Sequence, residues 1–140
     1  MYRVIFVGLH NKPHLTPLCS STKTGKIVDK IIQVTGIRSP IKSNLYDVEY
    51  YPKPDEWDEL IAQWQEKYEP TKKDVIVALG KHVSDTLKTC FPYLKIVALA
   101  HPAQRAGKLQ GNDYIMDAAT KIQTAMLEIS FPGIMPPPAP

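Results

Sequence analysis

The hydrophobic positions of this chain fall into short apolar runs that alternate with stretches of helical spacing. Nearly continuous apolar runs rich in Val, Ile and Leu are typical of parallel strands that are buried on both faces. One further run has extended character and ends at Pro52 and Pro54. The pattern predicts four strands, at residues 2–9, 41–51, 74–79 and 95–100.

Between these strands, apolar residues recur every three or four positions, as on one face of a helix. The first such segment ends at Gly36, a residue type that commonly stops a helix, and the second ends before Pro70. We predict four helices, at residues 25–35, 57–68, 81–89 and 112–129. The side chains expected to face the core are Ile27, Val28, Ile31, Ile32, Trp57, Trp64, Tyr68, Ile115, Ala119, Ile122, Met126 and Ile129.

This alternation of strands and helices predicts the fold class. Strands joined through helices form a parallel sheet by right-handed crossovers, with helices on both faces. We therefore predict an α/β protein with a three-layer α/β/α architecture and a four-stranded parallel sheet, formed by one domain at residues 1–130. The proline-rich tail at residues 131–140 can be neither a helix nor a central strand. It is either loose or laid on a surface, where it offers a contact for a protein partner.

Composition adds limits to this picture. The chain has 140 residues, a formal net charge of +3 and two cysteines. No apolar run approaches the roughly 20 residues of a membrane span, and the N-terminus lacks the pattern of a signal peptide. Two cysteines are too few for a disulfide scaffold or for a cysteine-ligated cluster. We expect a cytoplasmic protein that contacts no membrane and needs neither a metal nor a cofactor.

Two polar loops that contain histidine follow predicted strands far apart in the chain. The first, at residues 8–14, follows the first strand, and the second, at residues 101–105, follows the last. Ligands of open parallel sheets bind at the carboxyl ends of the strands, so both loops are expected to line one crevice. A zinc site at His10, His14 and Cys19 is an alternative, but Pro13 keeps the two histidines off one helix face.

Basic residues are concentrated in the first third of the sequence, where they favour an anionic ligand unless they only form a solvated surface. Residues 22–26 lead into the first helix and contain two lysines and a glycine. Hydroxyl groups in this segment can cap the helix, and free backbone N–H groups at a helix N-terminus attract phosphate. An ordinary cap needs only one of these residues, so the segment favours an anion site.

Four segments stand out in order along the chain, at residues 6–13, 17–18 with 24–26, 43–45, and 79–81 with 101–103. In the first, a strand is followed by glycine, a polar residue and proline. The second is a proline-containing lead into the first helix, the third contains an asparagine, and the last combines a later strand end with a segment that begins His-Pro. Together they resemble motifs of the uracil-DNA glycosylase superfamily, and most of all its small phage-type members, in which the asparagine reads a pyrimidine edge.

The resemblance implies a protein that binds DNA, flips a base out of the stack and breaks its N-glycosidic bond. It implies that His101 stabilises negative charge on the leaving pyrimidine, and that His10 or Asn11 positions the water. The residues that it implies for base binding are Asn44, Gly8, Leu9 and Leu18. Those that it implies for DNA contact are Lys23, Thr24, Lys26 and Arg105.

The chain departs from the family at positions that matter for the chemistry. The most active members carry aspartate where this chain has His10 and Asn11, and a neutral side chain is a poor base. Leu18 or Cys19 stands where the family has an aromatic residue that stacks on uracil, and Arg105 is not an apolar wedge. The sequence therefore leaves three functions open: an active glycosylase for uracil or a modified pyrimidine in DNA, a catalytically inactive member that binds nucleic acid or a protein partner, and an enzyme that acts on a modified base or a free nucleotide.

Overall fold

The computed structural model describes residues 3–102 and 112–131, which form a four-stranded sheet and four helices. The strands are β1 (Val4–His10), β2 (Ile41–Tyr46), β3 (Val75–Leu79) and β4 (Lys95–Leu99). The helices are α1 (Lys23–Thr35), α2 (Pro54–Tyr68), α3 (Lys81–Cys90) and α4 (Asn112–Ser130). The predicted DNA contact of Arg105 and residues 132–140 of the predicted tail lie outside the described residues.

All neighbouring strands of the sheet are parallel, and their order is β2-β1-β3-β4. The register places Ile5 beside both Ile41 and Ile76. Side chains alternate along a strand, so successive residues of β1 enter different cores on the two faces of the sheet. Helices α1 and α4 cover one face, and α2 and α3 cover the other, which confirms the predicted three-layer α/β/α fold.

The two cores are apolar and closely packed. Phe6 packs with α1 and α4 on one face, and Val7 packs with α2 and α3 on the other. Full burial of a side chain of this size contributes about 1.5–3 kcal/mol, and such burial is the main source of stability. Trp64 lies in the second core as predicted, whereas Trp57 and Tyr68 are only partly buried. None of the helices in the described residues is long and apolar enough to cross a membrane.

Strand β2 ends earlier than the predicted extended run to residue 51. The chain turns after Tyr46 because the Val48 N–H donates to the Tyr46 carbonyl at 2.9 Å. The Val48 carbonyl in turn accepts a hydrogen bond from the Asn11 N–H at 2.9 Å, which ties the loop after β2 to the loop after β1. The early end brings Asn44 close to the carboxyl end of its strand.

Helices α1 and α2 begin earlier than predicted, because residues outside the apolar pattern cap them. The Thr22 Oγ1 atom accepts from the Gly25 N–H at 2.9 Å, so α1 starts directly after this cap. Pro54 occupies the first position of α2, where its missing N–H costs nothing. The Glu56 carboxylate accepts from the Lys53 N–H at 2.9 Å and completes the start of α2.

An ion pair closes the amino end of the sheet. Asp74 is only 4% exposed and accepts hydrogen bonds from Arg3 Nη2 at 2.8 Å, Arg3 Nε at 3.1 Å and the Thr71 N–H at 2.9 Å. Arg3 Nη2 also donates to the carbonyls of Tyr68 and Glu69 at the end of α2. One arginine therefore ties β1, β3 and α2 together.

Candidate functional site

A cavity of about 330 Å³ lies at the opposite, carboxyl end of the sheet. It is lined by residues 8–10 of β1, by the loop and helix start that follow them, by Asn44 of β2, by Leu79 at the end of β3 and by His101 after β4. The two histidine-containing loops of the sequence therefore share one crevice. This volume is at the lower end of the range for small-molecule pockets, and suits a ligand the size of a base or a nucleoside.

The strand order explains why a cavity forms here. From β1 the chain passes through α1 to β2 on one side, whereas from β3 it passes through α3 to β4 on the other side. The loops that leave β1 and β3 therefore diverge and open a crevice between them. Such a topological switch point is the usual ligand site of an open α/β sheet.

Gly8 forms part of the cavity wall, and no larger residue fits at this position. It pairs with Asn44 across the β1–β2 register. A Cβ atom at Gly8 would lie 2.4 Å from Asn44 Oδ1 and 3.0 Å from Leu18 Cδ2. Leu18 is buried and holds a left-handed backbone conformation with φ of 51°, which is uncommon for this residue type. The close approach packs the backbone, an amide and an apolar side chain into one surface.

A short relay of hydrogen bonds fixes the orientation of the Asn44 amide. Asp47 Oδ1 accepts from Asn11 Nδ2 at 2.7 Å, and Asn11 Oδ1 accepts from Asn44 Nδ2 at 2.7 Å. Because a carboxylate can only accept, it determines which way both amides point. Asn44 is 6% exposed, and its Oδ1 atom accepts no hydrogen bond from the residues that the structure describes. An oriented acceptor is thus available to a ligand in the cavity.

The N-terminus of α1 supplies hydrogen-bond donors and positive potential at the cavity. The Thr22 hydroxyl accepts from the Gly25 N–H, and the Thr22 carbonyl accepts from the Lys26 N–H at 2.9 Å. The N–H groups of Lys23 and Thr24 have no acceptor within the helix, as is usual in a first turn. The helix dipole and the lysine charges favour a negatively charged ligand group here.

A second close approach holds this helix start in place. A Cβ atom at Gly25 would lie 1.8 Å from the Cys19 carbonyl oxygen. The same oxygen accepts from the Thr22 N–H at 2.9 Å and from the Thr22 hydroxyl at 2.7 Å. The glycine that the sequence marked as part of an anion site therefore has a steric role: it lets the loop pack against the helix.

His101 approaches the cavity from the loop after β4. It is half-buried, and its Cβ and Cδ2 atoms lie 3.7 Å from the position of a Cβ atom at Gly80. Burial, and to a smaller extent the positive charge of Lys12, lower the pKa of His101 below its ordinary value. The imidazole is therefore neutral at pH 7, with one nitrogen as donor and the other as acceptor.

Cys19 also lines the cavity, beside Ser21 and close to the start of α1. Its Sγ atom lies 3.1 Å from Ser21 Oγ. Hydrogen bonds from the Ser21 side chain and backbone lower the pKa of the Cys19 thiol, and the charge of Lys42 acts in the same direction. The thiol is therefore more readily ionised than an ordinary cysteine.

The structure brings together most of the residues that the sequence predicts for the site. Asn11 lies one layer behind the lining, where it orients Asn44 instead of reaching the cavity itself. Lys26 is exposed and is not part of the lining, and Arg105 lies outside the described residues. The predicted residues that line the cavity are Gly8, Leu9, His10, Leu18, Lys23, Thr24, Asn44 and His101.

Two further features of the site were missed by sequence reasoning. Thr16 lines the cavity, and Asp47 sets the orientation of the amides behind it. Asp47 could have been suspected, since it follows a strand that contains an asparagine, but only the pairing of two loops gives it a role. The zinc alternative gains no support, because the described residues contain no group of three His, Cys, Asp or Glu side chains that could hold a metal ion.

Comparison of the sequence with models of known protein families and with curated proteins finds no match. Function is therefore inferred from the fold class and from the geometry of the cavity. The cavity presents an oriented amide acceptor, a neutral imidazole and the donors of a helix start. No carboxylate lies among the described lining residues. This combination is suited to a small, planar, polar ligand that is linked to a phosphate.

Proposed function

We propose that this protein binds DNA, receives a flipped uracil or modified pyrimidine base in the cavity, and cleaves its N-glycosidic bond. The observation that carries the proposal is the oriented amide of Asn44, a residue that lines the same cavity as His101. A buried amide that is held by a carboxylate relay has a fixed hydrogen-bond pattern. Such a pattern is what a site needs in order to distinguish one base from another.

The direction of the Asn44 amide favours uracil over cytosine. Uracil carries an N–H at ring position 3, which can donate to Asn44 Oδ1, whereas cytosine has an acceptor there. Two acceptors that face each other in a buried site leave both groups unsatisfied, at a cost of about 1–3 kcal/mol. The relay through Asn11 and Asp47 prevents the amide from turning to suit cytosine.

We expect His101 to assist departure of the base. As the C1′–N bond breaks, its electron pair moves to the base, and negative charge develops on a pyrimidine oxygen. A neutral imidazole N–H can donate a hydrogen bond to that oxygen and so stabilise the charge. Water then adds to C1′, so that the sugar gains a hydroxyl group, and the proton that the water loses passes to the base anion or to solvent. His10, which lines the cavity, is the candidate to position this water.

DNA would be held next to the cavity by positive charge. Lys12, Lys23 and the N–H groups at the start of α1 lie at its edge and suit a phosphate on either side of the flipped nucleotide. Lys26 is one turn further along the helix and away from the lining, so we expect it to contribute less.

A second function, the binding of a base without cleavage, is favoured by one observation. No Asp or Glu belongs to the cavity lining in the described residues. A carboxylate would both stabilise the cationic sugar and activate water, whereas neither histidine nor asparagine carries the negative charge that stabilises such a sugar. Recognition can therefore be present where the reaction is slow or absent.

The test measures base release and binding separately, with single- and double-stranded oligonucleotides that contain one uracil. Removal of one preorganised donor typically costs about 100- to 1,000-fold in rate, so we expect such a loss of base release in His101→Ala, with little change in binding. Asn44→Ala should lower the rate and also reduce the preference for uracil over cytosine. His14→Asn is the matched control, since His14 is exposed and outside the lining, and asparagine tolerates its left-handed backbone.

The outcomes separate the two functions. If the wild-type protein binds uracil-containing DNA preferentially but releases no base, the non-catalytic function replaces the glycosylase. If it neither prefers nor cleaves uracil, hydroxymethyluracil or mismatched pyrimidines in either form of DNA, both proposals are wrong.

A further inference from the structure

An aromatic ledge borders the cavity on the side of α2 and α3. We define it by His10, Tyr46, Tyr51, Trp57 and His82, whose rings form a connected series. The centroids of His10 and Tyr51 are 6.1 Å apart, as are those of Tyr51 and His82. Because His10 also lines the cavity, the outer rings of the ledge, those of His10 and Tyr51, continue the cavity surface.

The inner part of the ledge is rigid without any ligand. Tyr46 is fully buried, and its hydroxyl is hydrogen-bonded to His82 Nε2 at 2.7 Å. The Trp57 ring packs edge-on against His82 at 4.7 Å, and its Nε1 donates to the Pro52 carbonyl at 3.0 Å. These contacts fix three rings, so they provide a firm base for the ring that lies outside them.

Tyr51 is the outer ring, and it contacts the inner part of the ledge only through the rings of His10 and His82. It is 54% exposed, and its hydroxyl makes no hydrogen bond to the residues that the structure describes. The neighbouring Tyr50 is as exposed, but its hydroxyl donates to Glu56 Oε1 at 3.1 Å. Tyr51 therefore presents an aromatic surface to solvent beside the cavity.

Charge divides the surface into two sides. Lys12 and Lys23 lie at the cavity, whereas Asp47 and Glu49 lie on the loop that carries Tyr51, and Glu56 lies in the first turn of α2. Each of these carboxylates is held by a hydrogen bond from Asn11, the His14 N–H or Tyr50, so their position is fixed. Phosphates are attracted to the lysine side and repelled from the ledge, which an uncharged base can still approach.

We propose that Tyr51 stacks on the unpaired base next to the one in the cavity, and that the substrate strand is single-stranded DNA. This inference rests on the proposed function, since it assumes that a DNA base enters the cavity. Stacking of bases on aromatic side chains is tolerant of sequence and is a common means of holding single strands. A duplex would bring a second row of phosphates towards the acidic side, whereas a single strand can keep its backbone on the lysine side.

The experiment uses fluorescence anisotropy with a labelled oligothymidine of about 12 nucleotides that contains no uracil, at low salt, and the full chain. Loss of one stacked base corresponds to a loss of affinity of about 5- to 150-fold, which we expect for Tyr51→Ala. Tyr51→Trp keeps a stacking ring and should restore the wild-type affinity. Tyr93→Ala is the matched control, because Tyr93 is 50% exposed, packs edge-on against Phe91 and belongs to neither the ledge nor the cavity. We expect the control to bind like the wild-type protein.

Equal affinity of Tyr51→Ala and Tyr93→Ala overturns the inference, as does wild-type binding to a duplex of the same length that is as tight as to the single strand. Base release distinguishes this failure from failure of the proposed function. Release of uracil that depends on His101 but is insensitive to Tyr51 removes only the inference. Strand binding that depends on Tyr51, without preference for or release of uracil, supports the ledge and contradicts the proposed function.

Discussion

The two ends of the sheet differ in the hydrogen bonding of their buried polar side chains. At the amino end, Asp74 is 4% exposed, and both of its oxygens accept hydrogen bonds from Arg3 and Thr71. At the carboxyl end, Asn44 is 6% exposed, and its side chain is hydrogen-bonded to the described residues through Nδ2 alone. The first arrangement completes its hydrogen bonds within the chain, whereas the second leaves an acceptor for a ligand. Similar burial therefore serves stability at one end, whereas at the other end we propose that it serves recognition.

The helix ends add to this difference between the amino and carboxyl edges of the sheet. Helices α1 and α2 end at the amino edge of the sheet, with Gly36 and Glu69 in left-handed conformations that close them. Helices α1 and α3 begin at the carboxyl edge, where their first N–H groups point outward. Positive helix ends and a polar cavity thus lie together, as binding of an anionic ligand requires.

The largest expected effect compares Asp74→Ala with Asn44→Ala in unfolding by urea. Loss of one partner of a buried ion pair costs about 3–5 kcal/mol, and the 42% exposure of Arg3 places Asp74→Ala at or below the low end of this range. Asn44→Ala removes one hydrogen bond, at about 1 kcal/mol. If Asn44→Ala destabilised the fold as much as Asp74→Ala, the carboxyl end would be structural in the same sense as the amino end.

Acid should affect the two ends in different pH ranges. Burial alone would raise the pKa of Asp74, but hydrogen bonds from Arg3 and Thr71 outweigh it and lower the pKa. Its contribution to stability is therefore present above the unfolded value of about 3.9 and is lost as the pH falls through the folded value.

His101 has its pKa lowered mainly by burial, so the unfolded chain binds this proton more readily than the folded chain. Stability should therefore fall as the pH drops below about 6.5. The free energy of unfolding between pH 7 and pH 5 measures this loss, and His101→Ala should flatten it. An unchanged slope in that variant would show that His101 is not the group responsible.

Two lysines on α1 test whether the carboxyl end binds phosphate. Lys23 lines the cavity and Lys26 does not, although both are exposed on the same helix. Lys23→Ala should lower the salt slope of DNA binding by about 1, and Lys26→Ala should change it less. Equal slopes for the two variants would place the DNA elsewhere on the surface.

The smallest expected effect concerns the two cysteines. Cys19 lies at the cavity and Cys90 at the end of α3, and their thiol pKa values are shifted in opposite directions. Hydrogen bonds from Ser21 lower the pKa of Cys19 at the cavity, whereas burial raises the pKa of Cys90 at the end of α3. A thiol reagent at neutral pH should therefore react faster with Cys90→Ser, which keeps Cys19, than with Cys19→Ser. A ligand in the cavity should slow the first reaction only, and slowing of both would indicate a general change in the protein.

Much of the fold could be predicted because its signals are local. Continuous apolar runs mark the strands, helical spacing marks the helices, and a run of alternating elements implies a parallel three-layer fold. Errors occurred at element ends, which are set by single hydrogen bonds that the apolar pattern does not record. The caps at Thr22 and Lys53 start α1 and α2 early, and the turn after Tyr46 is tied to the loop after β1 through Val48.

The candidate site, like the fold, could be predicted from the sequence only in part. The sequence by itself marked Gly8, His10, Asn44 and His101 as chemically suggestive residues after or within strands. The order of the strands brought them to one cavity, and only the packed structure showed that Asn11 and Asp47 orient the Asn44 amide. Residue type and local spacing are written in the sequence, but the direction of a side chain depends on neighbours that are distant in the chain. For that reason the sequence determined which groups this protein has, and the tertiary structure decided which of them face a ligand.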